Sequence, residues 1–312
     1  MRPLSFAAQT KKELTLIQEA PCCRRAELQA MVLLNGAGSP GDGRTGLTVQ
    51  TENVATARRI YTLLRELFDL HPEVLVRKKM RLKKNNVYAV RVPAGAEAVW
   101  RSLGLAPGDA GGFSLAEPGR PRACCRRAFL RGAFLAAGSV NDPGSPSYHL
   151  EISCQTPEQA NVIRRRMNEY GLHAKVIARK RGYVVYLKEG EKIVEFLSVI
   201  GAHQALLKFE DVRIMKGMRN QVNRLVNCET ANMNKTITAA VRQLDAIRLI
   251  DERMGLEHLP DKLREAAQLR LQYPETNLQE LAQRMGHRVT KSGLNHRFRK
   301  LQEIADRLRA GE

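Results

Sequence analysis

The sequence predicts an α+β protein: a duplicated α-β-β-α-β-β-α unit, followed by an all-α segment that closes in a helix-turn-helix. Three observations predict it. Cys22-Cys23-Arg24-Arg25-Ala26 returns as Cys124-Cys125-Arg126-Arg127-Ala128, 102 residues on, and the same register pairs Leu33 with Leu135 and Gly36 with Gly138. A fixed offset of this kind marks an internal duplication. After each copy, alternating and helical apolar patterns follow in one order. Beyond residue 260, three short helical patterns stand close together, separated by Pro274 and Gly286.

Within each copy the first helix carries the Cys-Cys-Arg-Arg-Ala run, and an alternating segment follows at 46–50 and at 148–153. The next helix spans 51–68, with Val54, Ile60, Leu64 and Leu67 near helical spacing; its counterpart spans 156–170, with Ala160, Ile163 and Met167 at i, i+3 and i+7. Two strands joined by a basic turn come next, 74–79 with 86–92 and 174–179 with 183–188, and short helices at 96–103 and 191–200 close the units. Small residues on the first helices (Ala30, Gly132, Ala133, Ala136, Ala137) let two such helices approach backbone to backbone. The Gly- and Pro-rich stretch 106–121 reads as a linker. The expected domains are therefore 1–105, the linker 106–121, 122–222, a connecting segment and helix 223–259, and 260–312.

In the last third, 230–255 reads as one helix with Ile237, Val241, Leu244, Ile247 and Met254 along a stripe and Gly255 as its stop. Pro260 precedes a helix over 261–272 that ends before Pro274. Asn277 suits the N-cap of a second helix, with Glu280 at the capping-box position and Leu278, Leu281, Ala282 and Met285 facing inward. Gly286 permits the turn, and a third helix opens at Thr290 and buries Leu294, Phe298, Leu301 and Leu308. Its other side and its start offer Arg288, Thr290, Lys291, Ser292, Asn295, His296, Arg297, Arg299 and Lys300 as DNA contacts. Amide and guanidinium groups in the first turns of such a helix can read base edges in a major groove. Thr276, Asn277 and Gln279, at the start of the second helix, are placed for phosphate oxygens.

Charge points the same way. Fifty-one Lys and Arg against 32 Asp and Glu give a formal +19, a field that attracts polyanions. Arg77, Lys78, Lys79, Arg81, Lys83 and Lys84 crowd one hairpin and Arg179, Lys180 and Arg181 its counterpart, as non-specific phosphate contacts or as a solvated hairpin tip. Arg164-Arg165-Arg166 reads as a wet helix face and Trp100 as core. Aromatic content of 5% argues against base stacking on single strands. Gly36-Ala37-Gly38 and Gly111-Gly112 lack the Lys-Ser/Thr of a phosphate loop. No apolar run is long enough to span a bilayer. The six cysteines show neither Cys-x-x-Cys nor a matching His spacing, so reduced thiols in a cytoplasmic protein are expected, with no metal site and no cofactor.

The segments Leu28–Gly36 and Leu130–Gly138 resemble two degenerate copies of the LAGLIDADG motif of homing endonucleases. In that family the acidic residue before each final glycine holds a divalent cation over the scissile phosphate. Here those positions are Asn35 and Ala137, so the resemblance implies the scaffold without catalytic residues. An amide is a weak ligand and a methyl group is none. Asp142 is the one nearby carboxylate that could substitute in a residual metal-dependent endonuclease. Ser5–Leu14, the paired motifs, Asn223–Asn232 and the C-terminal segment together resemble the WhiA family over nearly the whole chain. That likeness implies a sequence-specific binder of double-stranded DNA, nucleoid-associated. It also implies a transcriptional role in cell division, chromosome segregation or sporulation, with other transcription or cell-division proteins as further partners. A non-enzymatic adaptor that recruits acidic proteins through its basic faces is the alternative without DNA.

Overall fold

The computed structural model describes residues 4–41, 44–78, 86–108, 111–116, 121–286 and 289–311. The chain divides into two compact units, 1–217 and 218–312.

The first unit opens with a helix that the periodicity did not announce, α1 (Phe6–Leu14), capped by the Ser5 hydroxyl, which accepts from Ala8 N. The first repeat then runs α2 (Pro21–Asn35), β1 (Gly36–Gly41), β2 (Arg44–Thr51), α3 (Val54–Phe68), β3 (Glu73–Lys78), β4 (Asn86–Val92) and α4 (Ala96–Ser102). A short antiparallel pair follows, β5 (Leu105–Pro107) and β6 (Phe113–Leu115). The second repeat is α5 (Ala123–Ala137), β7 (Gly138–Val140), β8 (Leu150–Cys154), α6 (Pro157–Asn168), β9 (Lys175–Arg179), β10 (Gly182–Leu187) and α7 (Gly190–Ile200). The order α-β-β-α-β-β-α therefore holds twice. The two four-stranded antiparallel sheets share one strand order, β1-β2-β4-β3 and β7-β8-β10-β9. The matching caps are local chemistry: Asn53 Oδ1 accepts from Thr56 N at 3.0 Å, and Thr156 Oγ1 accepts from Gln159 N at 3.3 Å.

Helices α2 and α5 pack along their length at the centre of this unit. Leu28, Met31, Val32, Leu33 and Leu34 from one and Phe129, Leu130, Ala133, Phe134 and Leu135 from the other lie in one buried cluster. A Cβ on Gly132 would come within 2.1 Å of Glu27 O, so this crossing requires glycine. Glu27 is itself fully buried; its carboxylate accepts from Arg59 Nε at 2.8 Å and Arg131 Nε at 2.9 Å. Arg131 also pairs with Glu19.

Two expectations for the first unit need correction. The stretch expected as a linker holds β5 and β6, because Phe113 is buried against Trp100 with ring centroids 5.4 Å apart. Gln159 Nε2 ties it to both repeats by donating to Phe113 O and Leu33 O. Trp100 is core, as expected. Arg166 is not on a wet face: its guanidinium lies 3.6 Å from the centroid of the Phe129 ring, and burial pulls its pKa down to about 10.

The long helix α8 (His203–Arg253) contributes residues to both units. It begins well before residue 230. No proline interrupts 203–229, and the Glu13 carboxylate accepts from Gln204 N and Ala205 N at its first turn. In the second unit, Ala246, Ile247 and Ile250 of α8 join α9 (Asp261–Gln272), α10 (Leu278–Arg284) and α11 (Lys291–Ala310) in a separate core. Leu263, Ala266, Leu281, Met285, Leu294, Phe298 and Leu301 fill it.

Candidate nucleic-acid interface

The end of the second unit is two helices and a turn. Asn277 begins α10 with its side-chain oxygen accepting from Gln279 N and Glu280 N, both at 3.0 Å. Its amide donates to Glu280 Oε1 at 2.9 Å. Gly286, at φ 66°, makes the turn that a side chain would strain. Thr290 Oγ1 then accepts from Gly293 N at 3.1 Å and starts α11. Inward residues Leu294, Phe298, Leu301 and Ala305 fix the roll of α11, which leaves Ser292, Asn295, His296, Arg299 and Lys300 exposed on its outer side. No acid lies between Lys291 and Gln302 on that helix.

Arg297 sits differently. Its guanidinium is turned back towards α9, donating to Lys262 O and pairing with Glu265 at 3.2 Å, and only 17% of the side chain is exposed. Thr276 is half-buried, and its carbonyl accepts from Arg270 Nη1 at 2.6 Å. Lys291 and Gln279 line a cleft of about 430 Å³ with Asn277, Lys235 and Gln243. Lys235 and Arg270 carry no sequence signal for this place, since they reach it from α8 and α9. Arg288 lies outside the described residues.

On the first unit, Arg77 and Lys78 at the end of β3 are exposed, as are Arg179, Lys180 and Arg181 at the β9–β10 turn; Arg179 pairs with Glu151 at 3.2 Å. Lys79, Arg81, Lys83 and Lys84 lie outside the described residues.

A cleft of about 880 Å³ lies where the two motif helices end, lined by Asn35, Gly36, Ala136, Ala137, Gly138, Gln50, Glu52, Lys11 and neighbours. Asn35 is committed within the fold: Nδ2 donates to Gln50 O at 2.9 Å and Ala136 O at 3.0 Å. The Asp142 carboxylate accepts from Gly144 N at 2.8 Å in its own turn, and Asp142 is not among the cleft residues. Burial pulls the Lys11 ammonium down to about 8, against the opposing pull of the Glu52 carboxylate.

Models of the WhiA N-terminal LAGLIDADG-like domain, the WhiA LAGLIDADG-like domain and the WhiA C-terminal helix-turn-helix domain match residues 21–106, 126–219 and 222–305. The chain belongs to the WhiA family. A protein of Brevibacillus brevis named "Probable cell division protein WhiA" is 56% identical over 308 residues, covering 98% of each chain. One of Bacillus licheniformis with the same name is 54% identical over 314 residues, covering 99% of this chain and 98% of its own. The crystal structure of full-length WhiA from Thermatoga maritima aligns at TM-score 0.60 with 27% identity, over 98% of this chain and 99% of its own.

One cluster in this WhiA-family chain was not foreseen. The sulfurs of Cys22, Cys23, Cys124 and Cys125 all lie within 4.8 Å of one another, at the paired N-terminal ends of α2 and α5. A search for ligand spacing along the chain misses it, because the duplication assembles it across 102 residues. Among the described residues, no helix is long and apolar enough to cross a membrane.

Proposed function

We propose that the chain is a sequence-specific binder of double-stranded DNA and a transcriptional regulator, without nuclease activity. The observation that carries this reading is the outer side of α11. Ser292, Asn295, His296, Arg299 and Lys300 are exposed together on a helix whose roll is fixed by its core side and whose start is capped at Thr290. A helix presented in this way can place amide and guanidinium groups on base edges. Lys291 and Lys235 at the neighbouring cleft, with Gln279, serve phosphate oxygens, and Asn277 acts as the cap that orders that edge. Arg297 supports α11 rather than reading bases, because its guanidinium is engaged with Glu265 and Lys262. The exposed Arg77, Lys78, Lys180 and Arg181 add phosphate contacts that depend on salt and not on sequence.

Cleavage is disfavoured by the chemistry of the motif ends, where Asn35 spends its amide on two backbone carbonyls and Ala137 has no ligand atom. A role in cell division, chromosome segregation or sporulation, in the cytoplasm at the nucleoid, rests on family membership and on the name its relatives carry. Selection of bound duplexes from a random pool by the full chain tests the reading. A defined motif should emerge, and Asn295→Ala or Arg299→Ala should weaken binding to it by about 1–3 kcal/mol per lost base contact. A pool that stays random, with affinity set by salt alone, would favour the adaptor reading. Nicked plasmid in the presence of magnesium would restore the nuclease one.

A further inference from the structure

We infer that Cys22, Cys23, Cys124 and Cys125 form a tetrathiolate site for a single zinc ion, which pins the two repeats together at the start of their central helices. A tetrahedral zinc ion with bonds of about 2.3 Å places its four sulfurs about 3.8 Å apart. Here each adjacent pair is 3.9 Å apart, and all four sulfurs lie within 4.8 Å. The sulfurs of one repeat therefore already stand within 4.8 Å of those of the other across the helix pair. Convergence of four soft ligands from two rigid helices is the arrangement a closed structural zinc site requires.

The surroundings suit the charge of such a centre. Helix α2 begins after Ala20 and α5 after Arg122, and neither residue gives its helix a side-chain cap. The positive end of each helix dipole lies at these first turns, which favours a dianionic centre held on them. Binding is an exchange: four thiols and one Zn²⁺ give a dianionic tetrathiolate and four protons, with no change of oxidation state. The site is distinct from the ancestral cation site. Asn35 and Ala137 stand at the opposite ends of the same helices, roughly 18 Å away at 1.5 Å per residue.

The test uses the full chain, purified under reducing conditions and reconstituted with zinc. Metal analysis should find one equivalent of zinc, and binding should release protons. With cobalt in place of zinc, the chain should show the intense sulfur-to-metal absorption of a tetrahedral tetrathiolate. Cys23→Ser and Cys124→Ser should abolish that absorption, whereas Cys154→Ser and Cys228→Ser should leave it unchanged. A readout on the unmodified chain covers variants that fail to fold. Zinc should shield Cys22, Cys124 and Cys125, which are exposed or half-buried, from alkylation, and a chelator should restore their reactivity. Alkylation of these three at the same rate with and without zinc would overturn the inference, as would cobalt absorption that survives loss of Cys23 and Cys124. Two disulfides within the cluster, in chain kept reduced, would also overturn it.

Discussion

Glu27 shows how much of this molecule hangs on one carboxylate. It is fully buried between the guanidiniums of Arg59 and Arg131, which are themselves 5% and 2% exposed. Removing one partner of a buried ion group strands the others without solvent, at a cost of about 3–5 kcal/mol. Glu27→Gln should therefore lower the unfolding free energy by about 3 kcal/mol, read from the urea midpoint with the slope unchanged. Gly132→Val should cost about 3 kcal/mol or more, because the added carbons meet Glu27 O. The need for small residues at this crossing was legible in Gly132 and Ala133. Glu27 was not, since the duplication register pairs it with Phe129 and an isolated acid on a helix reads as solvated. Lys11 adds a pH signature. Its pKa falls from the ordinary 10.5 to about 8, so between those values the unfolded chain binds more protons and stability from this group rises with pH. Lys11→Met removes that slope, and its stability advantage over the parent should shrink from pH 8 to pH 10.

At the scale of elements, the caps and faces of the C-terminal helices separate folding from recognition. Asn277 satisfies two N–H groups of α10, so Asn277→Ala should cost about 1 kcal/mol of stability. Arg297→Ala and Arg299→Ala form the sharper contrast, two positions apart on α11. The first breaks a contact to α9 and should lower the melting temperature; the second leaves the fold intact and weakens DNA binding. Equal effects of the two on DNA affinity, with stability unchanged, would remove this distinction. The helices α9, α10 and α11 were legible nearly to the residue, because Pro260, Pro274, Asn277, Gly286 and Thr290 punctuate them. The long helix α8 was legible only in its last half. Met218, Val222, Val226 and Met233 are exposed along its middle, so no continuous buried stripe joins its first turns, where Ala205 and Phe209 are buried, to its last. The β5–β6 pair was hidden by glycine and proline, which signal a loop whether or not an apolar residue such as Phe113 anchors it.

For the whole molecule, duplication was the feature most legible in the sequence, and it set the strand order of both sheets and the central helix pair. What it concealed were groups whose meaning arises only when the copies meet, above all the four cysteines. The net charge of +19 predicts salt-sensitive DNA affinity. Each lysine that neutralises a phosphate adds about 0.9 to the slope of log affinity on log salt, so Lys291→Ala should lower that slope by about that amount. On the reading proposed above, the outer side of α11 selects the sites. Genome-wide mapping of bound DNA in cells, comparing the native chain with a stable Ser292→Ala, Asn295→Ala, Arg299→Ala variant, measures this most directly. Discrete sites for the native chain, flattened to background in the variant, are the predicted result; the same discrete sites occupied by both would contradict it.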